Sequence, residues 1–165
     1  MKEMRPTTGK TLLALASILG PMSGRRFLDL FSGSGRVAET MRDRGADVVT
    51  VETVRSRAAA IQARLGNNSH LCLALDVRRA LKWLSKHAQT FDVIFADPPY
   101  NAGWMETLPG ILAGYPELLR DGGCVILEHQ ADESVHLEKT AWVQTDERRY
   151  GISCLTFLRR RGEGE

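Results

Sequence analysis

Short apolar runs alternate along this chain with longer stretches of helical spacing. RFLDLF (26–31) is an apolar run broken only by Asp29, and DVVTVE (47–52), HLCLAL (70–75), FDVIFA (91–96) and CVILEH (124–129) repeat the pattern. Apolar runs of this length, bounded by turn residues, predict strands buried on both faces. Between them the spacing predicts helices. The first is capped by Thr7 or Thr8 and runs to about Leu19, where Gly20-Pro21 ends it. The second follows Gly33-Ser34-Gly35 and reaches about Arg44, with Gly45 as its end. A third covers 55–65 and closes at Gly66-Asn67-Asn68. Val77, Ala80, Leu81 and Leu84 give 77–88 one apolar face. Residues 104–119 suit a helix that Pro109 and Pro116 must kink or shorten, and a short helical stretch is expected over 131–138. The ending differs, because AWVQTD (141–146) and GISCLTFLR (151–159) are two strands with only a short polar link.

Five strand–helix alternations imply a parallel sheet with helices on both faces, and the closing pair must run antiparallel. The expected fold is α/β: a seven-stranded, mostly parallel sheet with an antiparallel C-terminal hairpin. With 165 residues the chain suits a single domain, 1–165. Within it, 1–22 would be a helical segment near the substrate, 23–159 the core and 160–165 a polar tail.

Composition narrows the classes. Hydrophobic residues make up 43% and charged residues 25%, an ordinary soluble balance, and no apolar run approaches the ~18 residues of a membrane span. The opening MKEMRPTTGK lacks the apolar core of a secretory signal. Cys72, Cys124 and Cys154 are odd in number, far apart and without a CxxC pair, so neither a zinc site nor a disulfide framework is indicated. No metal is expected, and a reducing cytoplasm fits. The net charge of +2 is small, but arginines pair at 25–26, 78–79 and 148–149 and run through 159–161. On charge alone these are equally a solvated surface or a nucleic-acid footprint.

Candidate chemistry begins at LDLFSGSGRVAE (28–39), which ends a strand, turns on glycines and starts a helix. Gly33 and Gly35 permit positive φ and close backbone approach, and the helix start offers unpaired N–H groups. Glu52 lies 19 residues after Gly33 at the tip of the next strand, where a carboxylate can accept both hydroxyls of an adenosine ribose. With Ala38 at the third fingerprint position, the loop suits dinucleotides and S-adenosylmethionine alike. Asp29 separates them. An acid inside a buried strand needs a partner, and a methionine α-ammonium would be one, whereas a pyrophosphate would not. Asp76 can take an adenine amino group, with Val77 offering a backbone N–H, or simply cap the helix 77–88.

FADPPY (95–100) falls at the tip of the fourth strand. Ligands in such sheets sit at the carboxyl ends of the strands near the switch in strand order, where the first and fourth strands should be neighbours. A nucleobase amine is a poor nucleophile because its lone pair is delocalised. Bonds from its N–H groups to Asp97 and to the Pro98 carbonyl would favour a more tetrahedral nitrogen. Pro98 and Pro99 hold φ near −65°, so that carbonyl is fixed beforehand. Tyr100 can stack on the base. The plainer alternative is a double proline that ends a strand.

LDLFSGSG with ADPPY resembles the class I S-adenosylmethionine-dependent amino-methyltransferases. More narrowly, RPTT (5–8), LDLFSGSG (28–35), VE (51–52), FDVIFADPPY (91–100) and a late YG…L…F segment (150–157) resemble the RsmD-type guanine-N2 methyltransferases of bacterial 16S rRNA, over nearly all of the chain. The resemblance implies the Rossmann-like class I fold. It implies S-adenosyl-L-methionine held by Asp29, Phe31, Gly33, Gly35, Glu52, Asp76 and Val77. The amine would be held by Asp97, Pro98, Pro99 and Tyr100, with Arg5 and Thr7 near the substrate entrance. Its partner would be ribosomal RNA or the small ribosomal subunit, with no membrane. Two departures stand out. Only four residues precede Arg5, where the family carries a basic segment, and GKTLLALAS follows RPTT, where the family is charged.

Other readings compete. A DNA adenine-N6 or cytosine-N4 methyltransferase would share the motif, but no separate target-recognition region is visible. A catalytically silent RNA-binding module would have no chemical need for Asp97, Tyr100 and Glu52 together. A nicotinamide oxidoreductase would leave Asp29 without a partner. TGKT (8–11) fails as a phosphate loop because Met4 stands where glycine is required. His129 reads as structural rather than as a base. Trp104 reads as a helix anchor, or as a contact for a flipped base. Tyr150 either stacks on RNA or closes the hairpin.

Overall fold

The computed structural model describes residues 9–162. In chain order the elements are α1 (Gly9–Leu19), β1 (Arg26–Asp29), α2 (Arg36–Asp43), β2 (Asp47–Val51), α3 (Arg55–Leu65), β3 (His70–Leu73) and α4 (Val77–Lys86). They continue with β4 (Phe91–Ala96), α5 (Trp104–Ala113), β5 (Leu119–Gln130), β6 (Trp142–Tyr150) and β7 (Ser153–Arg160). The strands form one seven-stranded sheet in the order β3-β2-β1-β4-β5-β7-β6. The first five are parallel, while β7 pairs antiparallel with both β5 and β6. This is the architecture the alternation implies, and β1 and β4 are neighbours through Phe27↔Val93, Leu28↔Ile94 and Asp29↔Phe95.

Period-2 alternation divides the core. Phe27, Val48, Val93, Phe95 and Ile126 pack on one face with Leu12, Leu15, Val37 and Met41 of α1 and α2. Leu28, Val49, Ile94, Val125 and Leu127 pack on the other with Leu81 and Leu84 of α4 and Leu108 and Leu112 of α5. Continuous apolar strands result because both faces are covered.

Three expectations need correction. The helix at 104 stops at Ala113, and Pro116–Leu118 form a separate 3-10 turn. β5 begins at Leu119 rather than at Cys124: Leu119 pairs with Phe91 and Cys124 with Val93, and Arg120–Gly123 form a bulge between them, with Gly122 at φ 78°. The stretch 131–138 is irregular instead of helical. Pro109 inside α5 has no N–H for the Met105 carbonyl, and the backbone N–H of His136 takes that carbonyl at 2.9 Å. The Trp142 indole N–H bonds the Pro109 carbonyl at 2.9 Å. The segment is thus an extended strap that repairs the proline defect, and its own helix would forfeit that bond.

Candidate active site

The carboxyl ends of β1, β2 and β4, with the loop after β3, surround a cavity of about 870 Å³. Ordinary small-molecule sites have this size.

On one side stands the glycine loop. Gly33 and Gly35 both adopt left-handed φ, 56° and 81°, so the chain can turn sharply from β1 into α2. The buried Ser32 bonds β2 twice: its N–H donates to the Val51 carbonyl at 3.0 Å, and its hydroxyl accepts the Val51 N–H at 3.1 Å. Phe31, Ser32, Gly33 and Ser34 line the cavity. Gly35 does not. A Cβ there would meet Ile61 Cγ1 at 3.0 Å and Arg64 Nη2 at 3.1 Å, so this glycine lets α2 pack close to α3.

Glu52 follows β2 directly and lines the cavity although it is nearly buried. One carboxylate oxygen accepts the Gly33 N–H and the other the Val54 N–H, each at 2.8 Å. An Arg57 guanidinium nitrogen lies 4.0 Å away. The carboxylate therefore clips the glycine loop to the β2 tip, and each oxygen keeps a lone pair for a ligand.

Asp29 lies beneath this loop, 1% exposed, and does not itself line the cavity. Among the described residues, neither carboxylate oxygen has a hydrogen-bond partner. Burial first, then the nearby Asp97, push its pKa from 3.8 up to about 8, and the smaller opposing influence of the neighbouring Ser32 and Phe31 does not offset this. A buried acid without a hydrogen-bond partner, close to Asp97 and Glu52, is stabilised as the carboxylate only by a positive charge. A cationic amine fits it.

Asp76 caps α4, its carboxylate accepting the Arg79 N–H at 3.0 Å. Asp76, Val77 and Arg78 also line the cavity, so the cap and the ligand-facing position coincide. Opposite stand Asp97, Pro98, Pro99 and Tyr100, all in the lining. Pro98 is buried, Pro99 is exposed, and Asp97 and Tyr100 are half-buried. The Tyr100 hydroxyl reaches the Ser153 hydroxyl of β7 at 3.4 Å. Phe31 meets Trp104 edge-on, with ring centroids 5.0 Å apart, and both rings line the cavity. Trp104 is thus helix start and cavity wall at once. Sequence spacing missed Arg36, Arg57 and Arg78 in the wall, and it missed Ser153, since nothing local connects it with Tyr100 53 residues away. Arg5 and Thr7 fall outside the described residues. His129 is buried, and its ring nitrogens engage the Gln130 carbonyl at 2.8 Å and the Thr156 hydroxyl at 2.7 Å, which is the structural role.

Comparison with known proteins places this geometry. The family model described as Conserved hypothetical protein 95 matches residues 1–159. The chain belongs to that family. This bears out the resemblance to the RsmD-type methyltransferases. A Bacillus subtilis relative bearing the name "Putative rRNA methyltransferase YlbH" is 30% identical over 173 residues, spanning 96% of this chain and 89% of its own. A tRNA1(Val) (adenine(37)-N6)-methyltransferase of Serratia proteamaculans is 30% identical over 131 residues, 67% of this chain and 50% of its own. A conserved hypothetical protein of Streptococcus pyogenes superposes with a TM-score of 0.76 at 30% identity, covering 92% of this chain and 96% of the other. Among the described residues, no helix is long and apolar enough to cross a membrane, and no cluster of three or more His, Cys, Asp or Glu could hold a metal ion.

Proposed function

We propose that this family member transfers a methyl group from S-adenosyl-L-methionine to the exocyclic N2 amine of a guanine in 16S rRNA, in the cytoplasm. The observation that carries the reading is the shared cavity: Asp97–Tyr100 line the same space as the glycine loop and Glu52. When bound, the cofactor supplies a methyl already activated on a sulfonium, so no covalent enzyme intermediate is needed. The residues of this chain hold and orient. Glu52 keeps lone pairs for the ribose hydroxyls, Asp76 accepts from the adenine amino group while the Val77 N–H donates to the ring, and Asp29 offers its carboxylate to the ammonium. Asp97 and the Pro98 carbonyl accept the two N–H bonds of the target amine, and Tyr100 stacks on the extruded base.

A second reading, adenine N6 in RNA, is favoured by the tRNA adenine-N6 methyltransferase among the relatives. Asp97 and Pro98 would hold either amine in the same way. The test is methyl transfer from labelled S-adenosylmethionine to unmodified small ribosomal subunits, naked 16S rRNA, tRNA and duplex DNA, followed by digestion to nucleosides. Label in N2-methylguanosine from rRNA is expected. Label in N6-methyladenosine would install the second reading, and label in DNA would overturn both.

A further inference from the structure

The tip of the β6–β7 hairpin stands beside the target side of the cavity and has no part in the chemistry above. Gly151, at φ 64°, and Ile152 form its two-residue turn. Three bonds fix that turn in place. The Ala131 N–H donates to the Ile152 carbonyl at 2.7 Å. Arg149 Nε donates to the Gly151 carbonyl at 2.9 Å. The next residue, Ser153, places its hydroxyl 3.4 Å from that of Tyr100. On this braced turn the Ile152 side chain is 60% exposed. Turns favour Gly, Asn, Asp and Ser, and a β-branched apolar residue gains nothing there from the turn itself. A lone exposed apolar residue is ordinary elsewhere on a surface; here it sits one residue from the contact to Tyr100. The charge beside it is positive. Arg148 is neutralised by Asp146 at 3.1 Å, whereas the exposed Arg149 has no ion pair among the described residues.

We propose that Ile152 is a wedge that enters an RNA stack next to the target nucleotide, with Arg149 on a flanking phosphate. The proposal rests on the RNA reading above. Methylating an amine on a stacked base requires the base to leave the stack, and an apolar side chain can fill the space it vacates. The braced turn holds the wedge at a fixed offset from Tyr100, so the base displaced at the hairpin is delivered against the ring. A protein partner would use the same exposed isoleucine but would not need Tyr100 beside it.

The test uses the full chain and the guanine that the wild type labels in a 16S rRNA transcript. Two short RNAs carry this guanine, one with it paired and one with it opposite an abasic site, each with 2-aminopurine as its neighbour. I152A should keep the wild-type melting temperature and its affinity for S-adenosylhomocysteine, since the side chain is exposed. It should lose about tenfold in kcat/KM on the paired RNA, lose the 2-aminopurine fluorescence rise, and stay within about twofold on the abasic RNA. R149Q should lower the slope of log affinity against log salt by about 0.7–0.9. Equal loss on both RNAs, or no loss on either, would overturn the wedge while leaving the methyltransferase reading intact. A wild type that labels other acceptors but no RNA would remove both.

Discussion

The two halves of the cavity are built differently. At the tips of β1 and β2, polar groups meet over short distances. Glu52 bonds Gly33 and Val54 at 2.8 Å, and Ser32 bonds Val51 at 3.0 and 3.1 Å. Across the cavity, Tyr100 reaches Ser153 at 3.4 Å, and the Asn101 N–H reaches Glu133 at the same distance. There the two proline rings add covalent rigidity. Short bonds between buried groups select one shape, so the first half suits a small ligand of fixed form. The second half holds one carbonyl still and leaves the surrounding surface open, which suits a large substrate that must be reshaped as it arrives.

Substitutions can break that contrast. The largest effect is expected at Asp97. D97A should lower kcat by roughly 10²–10³-fold or more while leaving cofactor affinity within about tenfold, ~1.4 kcal/mol. Isothermal titration beside single-turnover transfer would show the split, and retained turnover would remove Asp97 from the chemistry.

Asp29 comes next. Its pKa rises from 3.8 to about 8 on folding, so the native state takes up a proton between those values. Stability associated with the protonated acid is present at low pH and is lost as pH climbs toward about 8. D29N removes this slope, so its melting temperature should gain on the wild type as pH rises from 4 to 8, by at most about 1.4 kcal/mol per pH unit. Cofactor affinity should move the opposite way. In the wild type it should strengthen with pH up to about 8 as the carboxylate forms. In D29N it should be about a hundredfold weaker, ~2.7 kcal/mol, and flat. Affinity independent of pH in the wild type would break the pairing with an ammonium.

Glu52→Ala should cost roughly 1–3 kcal/mol of stability, because it orphans the Gly33 and Val54 N–H groups, and should weaken cofactor binding about tenfold. Chemical denaturation and titration would test both, and unchanged affinity would leave Glu52 as a loop clip alone. The smallest effect is expected on the open side. Y100F loses the long hydroxyl contact to Ser153 and keeps the ring, so stacking should keep kcat within about threefold. A large loss would mean that the hydroxyl contributes directly and that the open half is wired as tightly as the other.

Much of this was legible in the sequence. Apolar runs with period-2 burial and glycines at strand ends are local properties, and they fix the sheet, its parallel part and the loops at its carboxyl edge. Asp29 was readable for the same reason, since an acid inside an apolar run must be buried whatever the fold around it. Asp97–Tyr100 were readable because two prolines constrain the backbone wherever they stand. The failures were equally physical. The start of β5 at Leu119 was missed because Arg120–Gly123 have no register partner in β4: the register passes from Leu119 to Cys124 across a bulge that carries no apolar run of its own. The stretch 131–138 has helical spacing, yet it serves a carbonyl that Pro109 leaves open in another element.

The sequence by itself therefore determined the order of elements, the glycine turn and the acids at the strand tips, all of which depend on neighbours along the chain. Only the tertiary structure decided that Ser153 meets Tyr100, that Glu52 clips Gly33, and that Trp104 closes on Phe31. Each of those contacts joins residues whose separation is set by strand order across the sheet, and strand order follows from the packing of all the helices at once.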